Sequence, residues 1–89
     1  MIAEPKEKVS VKEELTEEFS LVLYNDDFNS FDHVINSLMA ICKLELMESE
    51  QCAWIVHTNG RCAVFHGVYS ELEPKCIALL DKGLSAKIE

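Results

Sequence analysis

The chain alternates short apolar runs with polar punctuation. "FSLVLY", Phe19 to Tyr24, is dominated by apolar and aromatic residues, the length and composition of a strand. It stops at three small polar residues, Asn25, Asp26 and Asp27. Beyond them Phe31, Val34, Ile35, Leu38, Met39 and Cys42 recur at steps of three, four, seven, eight and eleven, which is one face of a helix. Asn29 followed by Asp32 reads as an N-cap with an acid in the first turn, and Ser30 can cap instead. Lys43 to Met47 breaks the pattern. A second helix opens at Glu48 or Ser49 and carries Cys52, Ala53, Ile55, Val56 and His57. Asn59-Gly60 ends it with a left-handed cap signal. "RCAVF", Arg61 to Phe65, predicts a second strand. Ser70 and Glu73 form a capping box, with Pro74 in the tolerated first turn. Leu72, Cys76, Leu79 and Leu80 supply that third helix with its apolar face. Gly83 closes it, and Leu84 to Ile88 make a last short strand.

The order β-α-α-β-α-β predicts an α+β fold: a single small domain with a three-stranded antiparallel sheet packed with three helices. Residues 1–18 stand apart. They hold six Glu, three Lys, Pro5 and no aromatic residue, too little apolar surface to offset the entropy of ordering. They are expected to be a flexible N-terminal arm ahead of a folded domain over residues 19–89.

Charge narrows the partners. The formal net charge of the 89 residues is -8. Such a surface repels phosphates, which argues against nucleic acid and anionic membrane and favours a cationic or polar partner. No apolar run approaches the roughly 20 residues that span a bilayer, and the N-terminal stretch has no apolar signal core, so a cytoplasmic address is expected. The four cysteines, Cys42, Cys52, Cys62 and Cys76, include no C-x-x-C pair. They are expected to be reduced apolar fillers, with no metal and no cofactor implied.

Few residues are left to carry chemistry. Asn25, Asp26 and Asp27 lie where a strand hands over to a helix, and turns favour these residue types. Three such residues ahead of a separate cap are more than a turn needs, and a surplus of oxygen acceptors suits a cationic ligand. His57 lies near a helix C-terminus, where it either complements the dipole or offers a ring nitrogen to a ligand. His33 and His66 read as surface residues. Asp26 or Asp27 with His57 could pair as acid and base. However, the chain has no Ser in a tight Gly-flanked turn, no oxyanion loop and no Gly-rich phosphate loop, so catalysis is not expected.

"LYNDDFNSFDHVI", "EQCAWIVHTNGRC" and "ELEPKC" together resemble ClpS, the adaptor of ATP-dependent Clp proteases, over residues 19–89. The resemblance implies a non-catalytic adaptor. It would bind protein substrates bearing an N-degron that begins with Leu, Phe, Tyr or Trp, and deliver them to the N-terminal domain of a ClpA- or ClpC-type AAA+ unfoldase. By the same resemblance Asn25, Asp26 and His57 hold the α-amino group, and Asp27 is a second carboxylate that partly sets the loop. Phe31, Val34, Leu38, Ala53, Val56 and Leu84 form the side-chain pocket. Phe28, Glu71 and Lys75 meet the unfoldase, and the arm engages its pore. An ammonium has donors and no acceptor, so an amide oxygen, carboxylates and a neutral imidazole are chemically apt around it. Ala53 and Phe31 depart from the family, where Met is common at both positions, and Asn29 falls where a hydroxyl residue is common. An alternative is a domain like that of the ribosomal stalk protein, with the same fold and no amine recognition.

Overall fold

A computed structural model describes residues 17–89, and the arm expected over residues 1–18 lies almost wholly outside the described residues. The elements run β1 (Phe19–Tyr24), α1 (Phe31–Cys42), α2 (Leu46–Asn59), β2 (Arg61–Gly67), α3 (Tyr69–Asp81) and β3 (Ser85–Ile88). The sheet order is β2-β1-β3, and β1 pairs antiparallel with both neighbours. The expected α+β architecture is therefore the one observed. The most apolar strand is central, with Leu21, Val22 and Leu23 all buried. Leu21 and Leu23 join Leu38, Val56, Val64, Leu72 and Leu79 in one core between sheet and helices.

Boundaries differ from expectation where capping decides them. Ser30, not Asn29, caps α1: its hydroxyl accepts from the His33 N–H at 3.2 Å. The second helix begins at Leu46, ahead of the expected Glu48 or Ser49, because Glu48 reaches back to accept from the Glu45 N–H at 3.1 Å. This is a capping-box arrangement built from two glutamates rather than Ser and Glu. Ser49 consequently lies one turn inside the helix, fully buried, its hydroxyl without a hydrogen-bond partner among the described residues. The third helix begins at Tyr69, with Val68 in the cap position, so Ser70 is not its cap and Pro74 lies in the second turn. The Phe19 and Tyr69 rings pack edge-to-face with centroids 5.7 Å apart, at a helix start two residues earlier than a cap at Ser70 would set.

Two glycine helix ends place the neighbouring loops. At Gly60 (φ 92°) the N–H bonds to the Val56 carbonyl at 2.8 Å and turns α2 into β2. At Gly83 (φ 85°) the Gly83 N–H bonds to the Leu80 carbonyl at 2.9 Å, and the Leu84 N–H to the Leu79 carbonyl at 3.1 Å. That pairing is a Schellman motif, whose left-handed residue is glycine because a Cβ there is strained. Leu84 is consequently spent on the helix end, and the last strand starts at Ser85. The second strand, in turn, runs two residues past the expected Phe65, to Gly67. His33 is not simply a surface residue: its Nε2 lies 2.8 Å from the Lys82 carbonyl, joining α1 to the end of α3. His66 is exposed, with Nδ1 3.0 Å from the Ser20 hydroxyl.

Candidate functional site

The loop from Asn25 to Ser30 is held at both ends. The Asn25 N–H donates to the Gly60 carbonyl at 2.9 Å, tying the start of the loop to the end of α2. His57 lies three residues before Gly60, so this one bond brings the imidazole beside the polar cluster. At the other end, Asp26 Oδ1 accepts from the Phe28 and Asn29 N–H groups, both at 2.8 Å. Its Oδ2 accepts from Asn29 Nδ2 at 2.7 Å. The second hydrogen of that amide goes to the Gly83 carbonyl at 2.9 Å. Asn29, read from sequence as a possible cap, instead clamps the loop to the end of α3.

These bonds divide the two carboxylates. Asp26 has committed three of its roughly four acceptor directions to the loop. Partial burial raises the affinity of its carboxyl for a proton. The hydrogen bonds from Asn29 and Phe28, with His33 nearby, outweigh burial and hold it below the ordinary carboxylate value. Asp27 is exposed and takes part in none of these bonds. Loop-setting therefore falls on Asp26, where the sequence had suggested Asp27, and Asp27 keeps its acceptors for other use. Among the described residues the one ion pair joins Arg61 and Glu89 at 2.8 Å, so no lysine or arginine among them neutralises this acidic rim.

Behind the rim lies a cavity of about 380 Å³, lined by Asn25, Asp26, Asp27, Asn29, Phe31, Val34, Ala53, Val56 and His57. Its mouth is polar on the loop side, and its depth is apolar where α1 and α2 face each other. Ala53 and Val56 are buried, and Phe31 is 43% exposed at the rim. Of the expected pocket residues, Phe31, Val34, Ala53 and Val56 line this cavity. Leu84 lies just behind it, on a much smaller space of about 20 Å³ shared with Asn25, Asp26, Asn29, Val34 and Val56. Leu38 is 0% exposed and belongs to the core, not to the cavity. The periodicity that places Leu38 on the inner face of α1 does not separate core from pocket.

Three aromatic rings stand together at the mouth. The Phe31 ring meets the His57 ring edge-on with centroids 5.3 Å apart. Trp54, to which the sequence assigned no role, lies 6.2 Å from the His57 ring and 6.3 Å from the Phe31 ring. Its spacing of three residues before His57 was a usable signal, since such pairs are neighbours on a helix.

The expected interface residues fall in two places. Phe28 is 93% exposed in the loop, with no role as a buried staple. Glu71 and Lys75 lie one turn apart in the first half of α3. The Phe28 loop is clamped at the far end of that helix, so the structure does not gather the three into one small patch. The cysteines are free: Cys42 and Cys76 are buried, Cys52 and Cys62 half-buried. Burial pushes the Cys42 thiol up to about 11 and the Cys52 thiol to about 12, which keeps both protonated and unreactive near neutrality. No cluster of His, Cys, Asp and Glu able to hold a metal occurs among the described residues. No helix among them is long and apolar enough to cross a membrane.

Residues 14–87 match the sequence model of the family described as "ATP-dependent Clp protease adaptor protein ClpS". The chain belongs to the ClpS family. It is 33% identical over 64 residues to the Treponema denticola ClpS adaptor, covering 72% of this chain and 63% of that protein. It is 29% identical over 85 residues to the Synechococcus elongatus ClpS adaptor, covering 94% and 90%. A 57-residue stretch is 40% identical to the mouse E3 ubiquitin-protein ligase UBR1, covering 64% of this chain and 3% of the ligase. The solved structure of Agrobacterium tumefaciens ClpS2 bound to L-phenylalaninamide superposes with a TM-score of 0.78 at 20% identity, over 81% of this chain and 94% of that one. The ClpS fold is thus shared over the whole folded part. The family is one of adaptors to the Clp protease rather than of enzymes.

Proposed function

We propose that this ClpS-family chain captures proteins by a free N-terminal residue with a large hydrophobic side chain, and hands them to a Clp AAA+ unfoldase. One observation carries the reading: a single cavity joins an unneutralised rim of Asn25, Asp26, Asp27 and His57 to an apolar interior of Val34, Ala53 and Val56. An α-ammonium group beside an apolar side chain needs both surfaces at once. The rim supplies acceptors to the ammonium, with Asp27 and the remaining lone pair of Asp26 as its charged partners. Charge-assisted bonds of this kind contribute roughly 1.5–3 kcal/mol each. The interior then takes Leu, Phe, Tyr or Trp. That the related Agrobacterium protein was solved with L-phenylalaninamide, a free amine on an aromatic residue, is consistent with this ligand class.

Delivery would use surfaces outside the cavity. Phe28 is the exposed aromatic best suited to anchor on the unfoldase N-terminal domain, with Glu71 and Lys75 as a second contact on α3. A ClpA-type and a ClpC-type partner are both compatible with these residues.

The test is fluorescence anisotropy with a labelled peptide that starts with Phe, the same peptide acetylated, and one starting with Ser. Binding confined to the free Phe peptide is the expected result. Binding indifferent to acetylation would return the loop to a plain turn and favour an interaction domain of the ribosomal-stalk kind.

A further inference from the structure

Trp54 is the single tryptophan of the chain, and it is 59% exposed. A large aromatic left in water forgoes burial that a ligand could supply. Its neighbours make the position specific. With Phe31 and His57 it forms a triad of rings, each within 6.3 Å of the other two. Phe31 and His57 line the cavity, whereas Trp54 stands just outside its lining. The triad therefore extends the site from the mouth outward along α2.

Given the amine-binding function proposed for the cavity, on which this inference rests, the path of a bound peptide is set by its chemistry. The ammonium and the first side chain both branch from one Cα. If the ammonium meets the polar rim and the side chain enters between Val34, Ala53 and Val56, the remaining bond, to the carbonyl and the second residue, points out of the mouth. Consecutive Cα atoms lie about 3.8 Å apart. The second residue then emerges beside His57, within side-chain reach of a ring 6.2 Å from the imidazole.

We infer that Trp54, supported by Phe31 and His57, is a second specificity subsite that selects an aromatic side chain at the second position of the bound peptide. Offset or edge-on packing on the indole would bury most of the exposed ring without requiring a hydrogen bond. The subsite ranks peptides that the first residue has already admitted.

The experiment compares peptides beginning Phe-Phe and Phe-Ala, each free and acetylated, on the wild-type protein, Trp54→Ala and Trp54→Phe. The wild type is expected to favour Phe-Phe by about three- to tenfold, the size of one aromatic pair. Trp54→Ala brings that ratio within about twofold, and Trp54→Phe restores most of it. Because Trp54 is the sole tryptophan, its emission should shift more on Phe-Phe than on Phe-Ala binding. Equal wild-type affinities, or a preference that survives in Trp54→Ala, overturn the subsite. If free peptides bind and acetylated ones do not, that result leaves the amine-binding reading standing. Indifference to acetylation would overturn both.

Discussion

The side-chain amide of Asn29 donates to the Asp26 carboxylate at 2.7 Å while its other hydrogen holds the Gly83 carbonyl at 2.9 Å. One side chain thereby joins the acidic loop to the end of α3, 54 residues along the chain. Asn29→Ala removes both bonds. It should lower unfolding free energy by about 1–3 kcal/mol, since one partner is charged and the other is a backbone carbonyl. It should also weaken binding of a Phe-initiated peptide, because the rim loses its shape. Urea denaturation and anisotropy on the same sample check both. Unchanged stability would mean the clamp is redundant.

The Asp26 bonds make a pH signature. Its carboxyl is held below the ordinary value by hydrogen bonds that more than offset partial burial. A depressed folded value adds stability that is present above the unfolded value, about 3.9, and lost as pH falls through the folded one. Asp26→Asn should therefore be less stable than wild type near neutrality, with its amide facing the amide donors of Asn29. The gap between the two should narrow as pH drops below about 4. Denaturant midpoints measured from pH 7 down to pH 3 decide it, and a constant gap would assign the loss to shape alone.

Ala53 is 3% exposed at the cavity wall. A methionine there would project into the cavity and reduce its depth. Trp-initiated peptides should weaken most on Ala53→Met, by about tenfold, or roughly 1.4 kcal/mol. Discrimination between Phe- and Ile-initiated peptides should rise, since the present cavity accommodates both shapes more loosely. Identical Phe-to-Ile ratios in the two proteins would show that Phe31 already compensates.

Leu38 separates core from pocket. It is 0% exposed and packs in the core. Leu38→Ala should cost about 2–5 kcal/mol of stability, a large share of what a small domain has. The fraction that remains folded at low temperature should rank Phe, Leu and Ser peptides as the wild type does. A changed ranking would bring Leu38 back into the site.

Much of this was readable from the residues. The six-residue run of β1 and the helical spacing from Phe31 to Cys42 fall on the observed elements, because each is a single unbroken pattern. The displaced helix starts lie where no Ser or Thr caps the helix. Glu45 caps through its partner Glu48, and Tyr69 opens α3 beside Phe19 with Val68 in the cap position. Neither relation leaves a Ser or Thr signal. The division of labour between Asp26 and Asp27 was also out of reach. It depends on Asn29 meeting Gly83, which only the assembled fold brings together. Leu38 and Val34 occupy the same helical face, and only the three-dimensional gap between α1 and α2 distinguishes them.

That division of labour gives the sharpest contrast. Asp26 is committed to the loop, whereas Asp27 lines the cavity, is exposed and shares in none of the loop bonds. Asp27→Asn changes charge and almost nothing in shape. It should leave the unfolding free energy within about 0.5 kcal/mol of wild type, as surface changes do. Affinity for a free Phe-initiated peptide should fall about tenfold, or roughly 1.4 kcal/mol, and the loss should shrink in high salt, because an exposed charge pair is screened. Asp26→Asn should show the opposite balance, with a clear loss of stability and a binding loss that follows from it. Equal stability losses in the two variants would mean both carboxylates hold the loop. Full affinity in Asp27→Asn would leave the ammonium to Asn25, His57 and the last lone pair of Asp26.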